Sequence, residues 1–168
     1  MVKKSTIISL ASIYATRADQ LNTEHLIFHE NFDHLNFTRW SHEVSMSGGG
    51  NWEFQLYDND REVTYIRNNT LFITPKLTEE KYGQKMVLGQ HSDWRLNRLA
   101  IPSTRCTDDR DWGCERIANS RENKILPPVI SGKISTKESF WFKYGRVEFT
   151  ARMPVGDWLW PALWLLPK

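Results

Sequence analysis

Residues 145–153, GRVEFTARM, alternate without interruption: Val147, Phe149, Ala151 and Met153 share one parity, and Arg146, Glu148, Thr150 and Arg152 the other. A period of two is what a strand with one covered face requires, because successive side chains of an extended chain point to opposite sides. The same signature recurs in shorter pieces. Residues 25–32 read as a strand. Trp52, Phe54 and Leu56 alternate with Glu53, Gln55 and Tyr57, directly after the triplet Gly48, Gly49, Gly50, which permits a bulge or a close backbone approach. Residues 61–67 and 70–76 are rich in β-formers and flank Asn68-Asn69, a pair suited to a tight hairpin turn. No stretch of useful length carries a helical period, so the fold class read from the chain is an all-β sandwich.

Two regions depart from this pattern. Residues 79–128 mix charges with Gly83, Gly89, Pro102 and Pro127-Pro128, and predict a decorated insertion with short helical turns, partly packed through Trp94 and Trp112. After the turn residues Pro154 and Gly156, residues 158–167, WLWPALWLLP, read as a nearly continuous apolar strand covered on at least one side. Sandwiches of this kind commonly run to about 200–250 residues. The expectation is therefore an incomplete domain over residues 25–168, with its most apolar strand lacking a neighbour, preceded by a secretory leader or disordered tail over residues 1–24. That leader would place Lys3 and Lys4 ahead of a weakly apolar stretch interrupted by Ser9 and Ser12.

Charge and composition narrow the partners. With 22 Lys plus Arg against 20 Asp plus Glu, the net charge of +2 supplies no field for gathering phosphates, which argues against nucleic acid. No apolar run reaches the roughly 18–20 residues that span a bilayer, so no membrane partner is expected. Eight Trp, five Tyr and eight Phe instead provide stacking surfaces for an uncharged partner. Cys106 and Cys114, eight positions apart and without a second pair, suit a loop-closing disulfide in an oxidising compartment better than a metal site; free thiols are the alternative. Asn36-Phe37-Thr38 and Asn68-Asn69-Thr70 are glycosylation sequons. His25 and His29 share an HxxxH spacing, but on a strand they stand about 13 Å apart at roughly 3.3 Å per residue, so no metal is expected. There is no phosphate-binding glycine loop and no G-x-S-x-G elbow, and no cofactor is expected.

Taken together, Phe32-Asp33, Leu35-Asn36, Trp40, GGGNWEFQLY, CTDDRDWGCER and SGKISTKESFWFKYGRVEFTARMPVGDWLWPALWLLPK resemble glycoside hydrolase family 16, in particular its animal β-1,3-glucanases and β-1,3-glucan-recognition proteins. The resemblance runs in order from about residue 25 to residue 168. It implies a concanavalin A-like β-jelly-roll sandwich, a β-glucan polysaccharide as partner and secretion from the cell.

The hydrolytic members of that family carry two glutamates in an E-x-D-x-x-E strand shortly after the tryptophan-rich block, whereas no E-x-D occurs in these 168 residues. A retaining glycosidase needs two carboxyl groups roughly 5 to 5.5 Å apart, one ionised and one protonated. No catalytic residue is therefore assigned. The reading divides between a fragment of a retaining β-1,3-glucan hydrolase whose glutamate strand lies beyond Lys168 and a non-catalytic glucan-binding protein. The resemblance puts Trp160 and Trp164 at cleft positions. Trp158 joins them if a strand begins that early, Arg146 could reach sugar hydroxyls, and Asn51 and Trp52, with the Gly48–Gly50 loop, resemble a family loop near the groove, an ordinary turn being the alternative. Indole suits this task because pyranose rings present apolar C–H faces. Core packing is the competing use of a tryptophan in a sandwich, and a solvated surface position that of Arg146. Glu148 shares a face with Arg146 and Arg152 and is expected to be paired with them. Asp108, Asp109 and Asp111 read as a solvated acidic turn.

Overall fold

The computed structural model describes residues 7–15, as backbone, and residues 25–167. Among them are twelve strands: β1 (Ile7–Ala15), β2 (His25–Glu30), β3 (Ser41–His42), β4 (Gln55–Tyr57), β5 (Thr64–Ile66), β6 (Leu71–Ile73), β7 (Lys76–Leu77), β8 (Arg98–Ala100), β9 (Glu115–Ile117), β10 (Val129–Ser131), β11 (Ile134–Ser135) and β12 (Arg146–Arg152). The only α-helices among the described residues are α1 (Thr78–Tyr82) and α2 (Gln84–Val87), so the protein is all-β in character. The described residues divide into two compact units: residues 7–15, 25–41, 64–74 and 135–167 form one, residues 42–63 and 75–134 the other. No described helix is long and apolar enough to cross a membrane.

The first unit is an antiparallel sheet in the order β12, β1, β6, β5, with β2 also on β1. β12 covers one edge of β1 from Ile7↔Arg152 to Tyr14↔Arg146, while β6 and β2 share the other edge. Part of the stretch read as leader or tail is thus a strand; residues 1–6 and 16–24 lie outside the described residues. On β2, Phe28 and Glu30 point inward. The strand stops there rather than at residue 32, because Phe32 takes a φ of 53° and swings back into the core. Phe28 packs against Phe140 at 4.7 Å and edge-on to Trp40 at 6.1 Å, and Phe32 lies 5.8 Å from Trp40. The Glu30 carboxylate, 5% exposed, accepts hydrogen bonds from the Phe32 N–H at 3.0 Å and the Trp40 indole at 2.9 Å, with the Arg39 guanidinium 3.7 Å away. The Asn68-Asn69 hairpin forms as read: both residues have positive φ, Arg67 N–H donates to Thr70 C=O, and Tyr65 stacks on Phe72 across β5 and β6.

The strand expected over residues 158–167 is absent. Pro154, Pro161 and Pro167 remove ladder donors, Gly156 and a Trp158 φ of 64° turn the backbone, and residues 153–167 run as irregular chain. The burial expected of a covered strand is absent with it, as Val155, Trp158, Trp160, Leu165 and Leu166 are exposed.

In the second unit β10 runs parallel to β4 and antiparallel to β7, while β8 and β9 form a separate hairpin. The core unites Met46, Leu56, Val63, Val87, Leu99, Ala118, Leu126 and Ile130. Four of these come from residues 79–128, so that segment is part of the core and not a mere decoration. Its short helices are anchored by Thr78, whose hydroxyl and N–H donate to Pro127 C=O at 2.6 Å and Pro128 C=O at 2.9 Å. The buried Asp58 accepts from Lys81 Nζ at 3.0 Å, Arg105 Nη2 at 2.9 Å and the Asn59 N–H at 2.8 Å. Burial pulls the Lys81 ammonium down, but its hydrogen bonds to Asp60 and Asp58 outweigh this and hold it above the usual lysine range.

Two stability outcomes follow from this packing. Leu126→Ala, at a fully buried position, should lose about 2 to 5 kcal/mol in urea unfolding, whereas Trp160→Ala should move the midpoint little. The second concerns His42, whose pKa is lowered from 6.5 to about 4 by burial and by Arg61, against a smaller opposing pull from Asp58. Below pH 6.5 the unfolded chain takes up a proton that the folded chain refuses until about pH 4, so this stabilisation is complete above 6.5 and is lost on descending to about 4. The carboxylates with depressed values act only below 3.8 to 4.5. Urea midpoints measured between pH 7 and 4.5 should therefore fall for the native chain and stay flatter for His42→Gln; equal slopes would remove His42 as the cause.

Candidate functional site

Each predicted binding residue is at the surface, but on different scaffolds. Trp158, Trp160 and Trp164 follow β12 in the first unit at 88%, 86% and 70% exposure. The common strand face expected for Trp158 and Trp160 is absent, because the segment is not a strand. Arg146 opens β12, and its Nε lies 3.3 Å from Glu148 Oε1, both side chains about half exposed. The two are neighbours on one strand face, as their alternate positions dictate. In the same unit a groove of about 500 Å³ is lined by Leu26, Ile27, Phe28, His29, Thr38, Arg39, Ser139 and Phe140; none of these was singled out as a binding residue in the sequence.

Asn51 belongs to the second unit. It is exposed on the turn that follows the glycine triplet, its N–H donating to Gly48 C=O at 3.0 Å. All three glycines have positive φ, 68°, 59° and 80°, and Glu53 N–H also returns to Gly48 C=O at 3.1 Å. The turn consumes the first residues of the expected 52–57 strand, so that β4 starts only at Gln55. It leaves Trp52 in the left-handed region, with φ 58°.

A second loop meets this turn. Cys106 and Cys114 are disulfide-bonded with Cα atoms 5.7 Å apart. Met46 N–H donates to Gly113 C=O at 2.7 Å, and Thr107 N–H to Val44 C=O at 3.0 Å, which fastens the disulfide loop to the segment leading into the glycine turn. Gly113 is required by space: a Cβ there would stand 2.1 Å from the Asp108 carbonyl oxygen. Asp108 is not free in a solvated acidic turn. The Arg110 guanidinium grips it at 2.9 and 2.8 Å and, against a smaller opposing effect of burial, holds its carboxyl down at about 2. The loop presents Trp112, 68% exposed, against Trp52, 65% exposed, with ring centroids 6.1 Å apart and planes tilted by 36°. The Arg116 guanidinium lies 5.9 Å from the Trp52 ring.

The sequence pattern places Trp52 in the glycine loop near the groove and Trp112 among partly packed residues, and does not join the two. The pair's signal was faint: each tryptophan abuts a glycine-bearing turn, but sixty positions separate them, and only the hydrogen bonds between the loops bring them together. Among the described residues no three His, Cys, Asp or Glu side chains group as metal ligands.

No family model matches the chain, and no solved structure matches it. It is 45% identical over 144 residues to a protein of Penaeus monodon named Beta-1,3-glucan-binding protein, an alignment covering 85% of this chain and 38% of that protein. It is 39% identical over 148 residues to Beta-1,3-glucan-binding protein 1 of Galleria mellonella, and 36% identical over 146 residues to Gram-negative bacteria-binding protein 1 of Drosophila melanogaster. Those alignments cover 85% and 84% of this chain and 27% of each relative, so the chain spans about a quarter to two fifths of the curated relatives it matches.

The disulfide should carry part of the loop's stability. Replacing both Cys106 and Cys114 by Ser is expected to lower unfolding free energy by about 2 to 3 kcal/mol, the loop-closure contribution of so short a ring. Denaturant titration of oxidised protein against the double variant checks this, and superimposable curves would show that the hydrogen bonds alone hold the loop.

Proposed function

We propose that this chain recognises β-1,3-glucan, as part of an extracellular protein with the concanavalin A-like jelly roll that its resemblance to glycoside hydrolase family 16 implies. The observation that carries the reading is the 45% identity to a protein named for glucan binding. The surface tryptophans support it. A large indole left in water is unfavourable unless something covers it, and Trp158, Trp160 and Trp164 offer stacking faces next to a strand bearing Arg146 and Glu148. Sugar rings use such faces for their C–H sides and leave hydroxyl edges to polar groups.

Binding, and not bond cleavage, is the activity assigned to these 168 residues, which hold no E-x-D. Arg146 orients hydroxyls in this reading, with Glu148 steadying the guanidinium. Asn51 serves as a hydrogen-bonding group on the second unit. Secretion is part of the proposal and draws support from the disulfide, since such bonds persist in oxidising compartments.

Co-sedimentation of the purified chain with insoluble β-1,3-glucan tests the reading. The native chain should pellet with the polymer and release no reducing ends from it. Trp160→Ala combined with Trp164→Ala should weaken retention about tenfold or more, the equivalent of roughly 1.4 kcal/mol of lost stacking. Failure of the native chain to pellet, or catalytic release of reducing ends by a homogeneous preparation, would overturn it.

A further inference from the structure

We propose that Trp52 and Trp112, with Arg116, form a second pyranose-stacking platform on the second unit, separate in the chain from the tryptophans of residues 158–164. The inference rests on the glucan-recognition reading and names an additional contact site for the same polysaccharide.

Three observations carry it. The first is presentation. Two large indoles stand 6.1 Å apart, each about two thirds exposed, and their 36° tilt makes a shallow aromatic V and not a closed stack. Neighbouring sugar rings in a chain can each lay an apolar face on one wall of such a V. The second is backbone strain. Trp52, Asp111 and Trp112 all occupy the left-handed region, with φ of 58°, 51° and 60°, where a bulky side chain is disfavoured. Such conformations persist only where surrounding structure over-determines them, and they gather at ligand-contacting sites. Here the surroundings are explicit: the Met46 to Gly113 hydrogen bond, the glycine turn and the disulfide fix both loops. Neither indole contributes to the core these devices support, so the strain serves their display.

The third observation is charge. Arg110 is consumed by Asp108 at 2.8 Å, and Glu53 Oε2 accepts from Gln55 Nε2 at 2.6 Å. Arg116 lies over Trp52 and reaches the Asp111 carbonyl oxygen at 3.4 Å. The rim therefore mixes both signs, Arg110 and Arg116 beside Asp108, Asp109, Asp111 and Glu53, with no cationic surplus to recruit a phosphate or an acidic peptide. An uncharged, hydroxyl-rich ligand with apolar faces fits both the indoles and their rim.

The test oxidises exposed indoles with N-bromosuccinimide in the full chain, with and without soluble β-1,3-glucan, and maps modified tryptophans by peptide mass spectrometry. Glucan should protect Trp52 and Trp112 as well as Trp160 and Trp164, with unbranched α-1,4-glucan as the unprotecting control. In parallel, Trp52→Ala and Trp112→Ala, singly and together, should lower affinity for soluble β-1,3-glucan severalfold to tenfold, while Trp52→Phe with Trp112→Phe should retain most of it. Both positions are exposed, so unchanged melting temperatures are expected; if the double alanine variant melts early, the protection map and the phenylalanine variant decide the matter. Protection confined to residues 158–164, with affinity unaffected by the alanine variants, would overturn this platform and leave the glucan reading intact. A native chain that binds no β-1,3-glucan at all would remove that reading itself. Concentration-dependent self-association abolished by the alanine variants, without glucan protection, would make the pair a protein contact and overturn the proposal.

Discussion

A carboxylate withdrawn from water has to be surrounded by donors, and the second unit is assembled around one such group, Asp58. Its partners come from three places in the chain: Lys81 on α1, Arg105 just before the disulfide loop, and the Asn59 amide at the end of β4. The Asp58 N–H meanwhile donates to Ser131 C=O and extends the pairing of β4 with β10. Strands of three residues bring few hydrogen bonds of their own. Side-chain clamps of this kind, with the apolar cluster around Met46 and Leu126, fix their positions.

The first unit repeats the solution with Glu30. Its carboxylate ties the end of β2 to the Phe32 amide and to Trp40, which brings the aromatic rings of Phe28, Phe32 and Trp40 into one core. In both units the interior is closed by a buried acid and its donors, and large aromatic surface remains outside. Trp52 and Trp112 in one unit and Trp158, Trp160 and Trp164 in the other are displayed on turns and irregular chain, where ladder geometry does not dictate which way a side chain faces. Loops fastened to a rigid frame are where binding surfaces are generally found.

The display has local causes. In the second unit it is the glycine turn, the missing Cβ at Gly113, which lets the backbone approach Asp108, and the covalent closure between Cys106 and Cys114. In the first it is the turn after β12, with Pro154, Gly156 and the positive φ of Trp158, beyond which residues 159–167 run as irregular chain.

The sequence by itself determined the elements whose cause is local. The alternation of residues 146–152 became β12, Asn68-Asn69 became a hairpin turn because both residues tolerate positive φ, and the spacing of Cys106 and Cys114 suited a short loop. It also placed Trp160 and Trp164 as candidate binding residues, through resemblance and not through periodicity. Tertiary structure decided what depends on distant partners. Residues 79–128 show no clear period because their helices are one turn long and their strands three residues, yet they supply half the second unit's core. The hydrophobicity of residues 158–167 predicted a covered strand, but among the described residues the segment joins no ladder and most of its large side chains are exposed. The meeting of Trp52 with Trp112 had only a faint sequence signal, a glycine-bearing turn beside each, because it rests on hydrogen bonds between loops sixty residues apart, and such contacts exist only once the chain has folded.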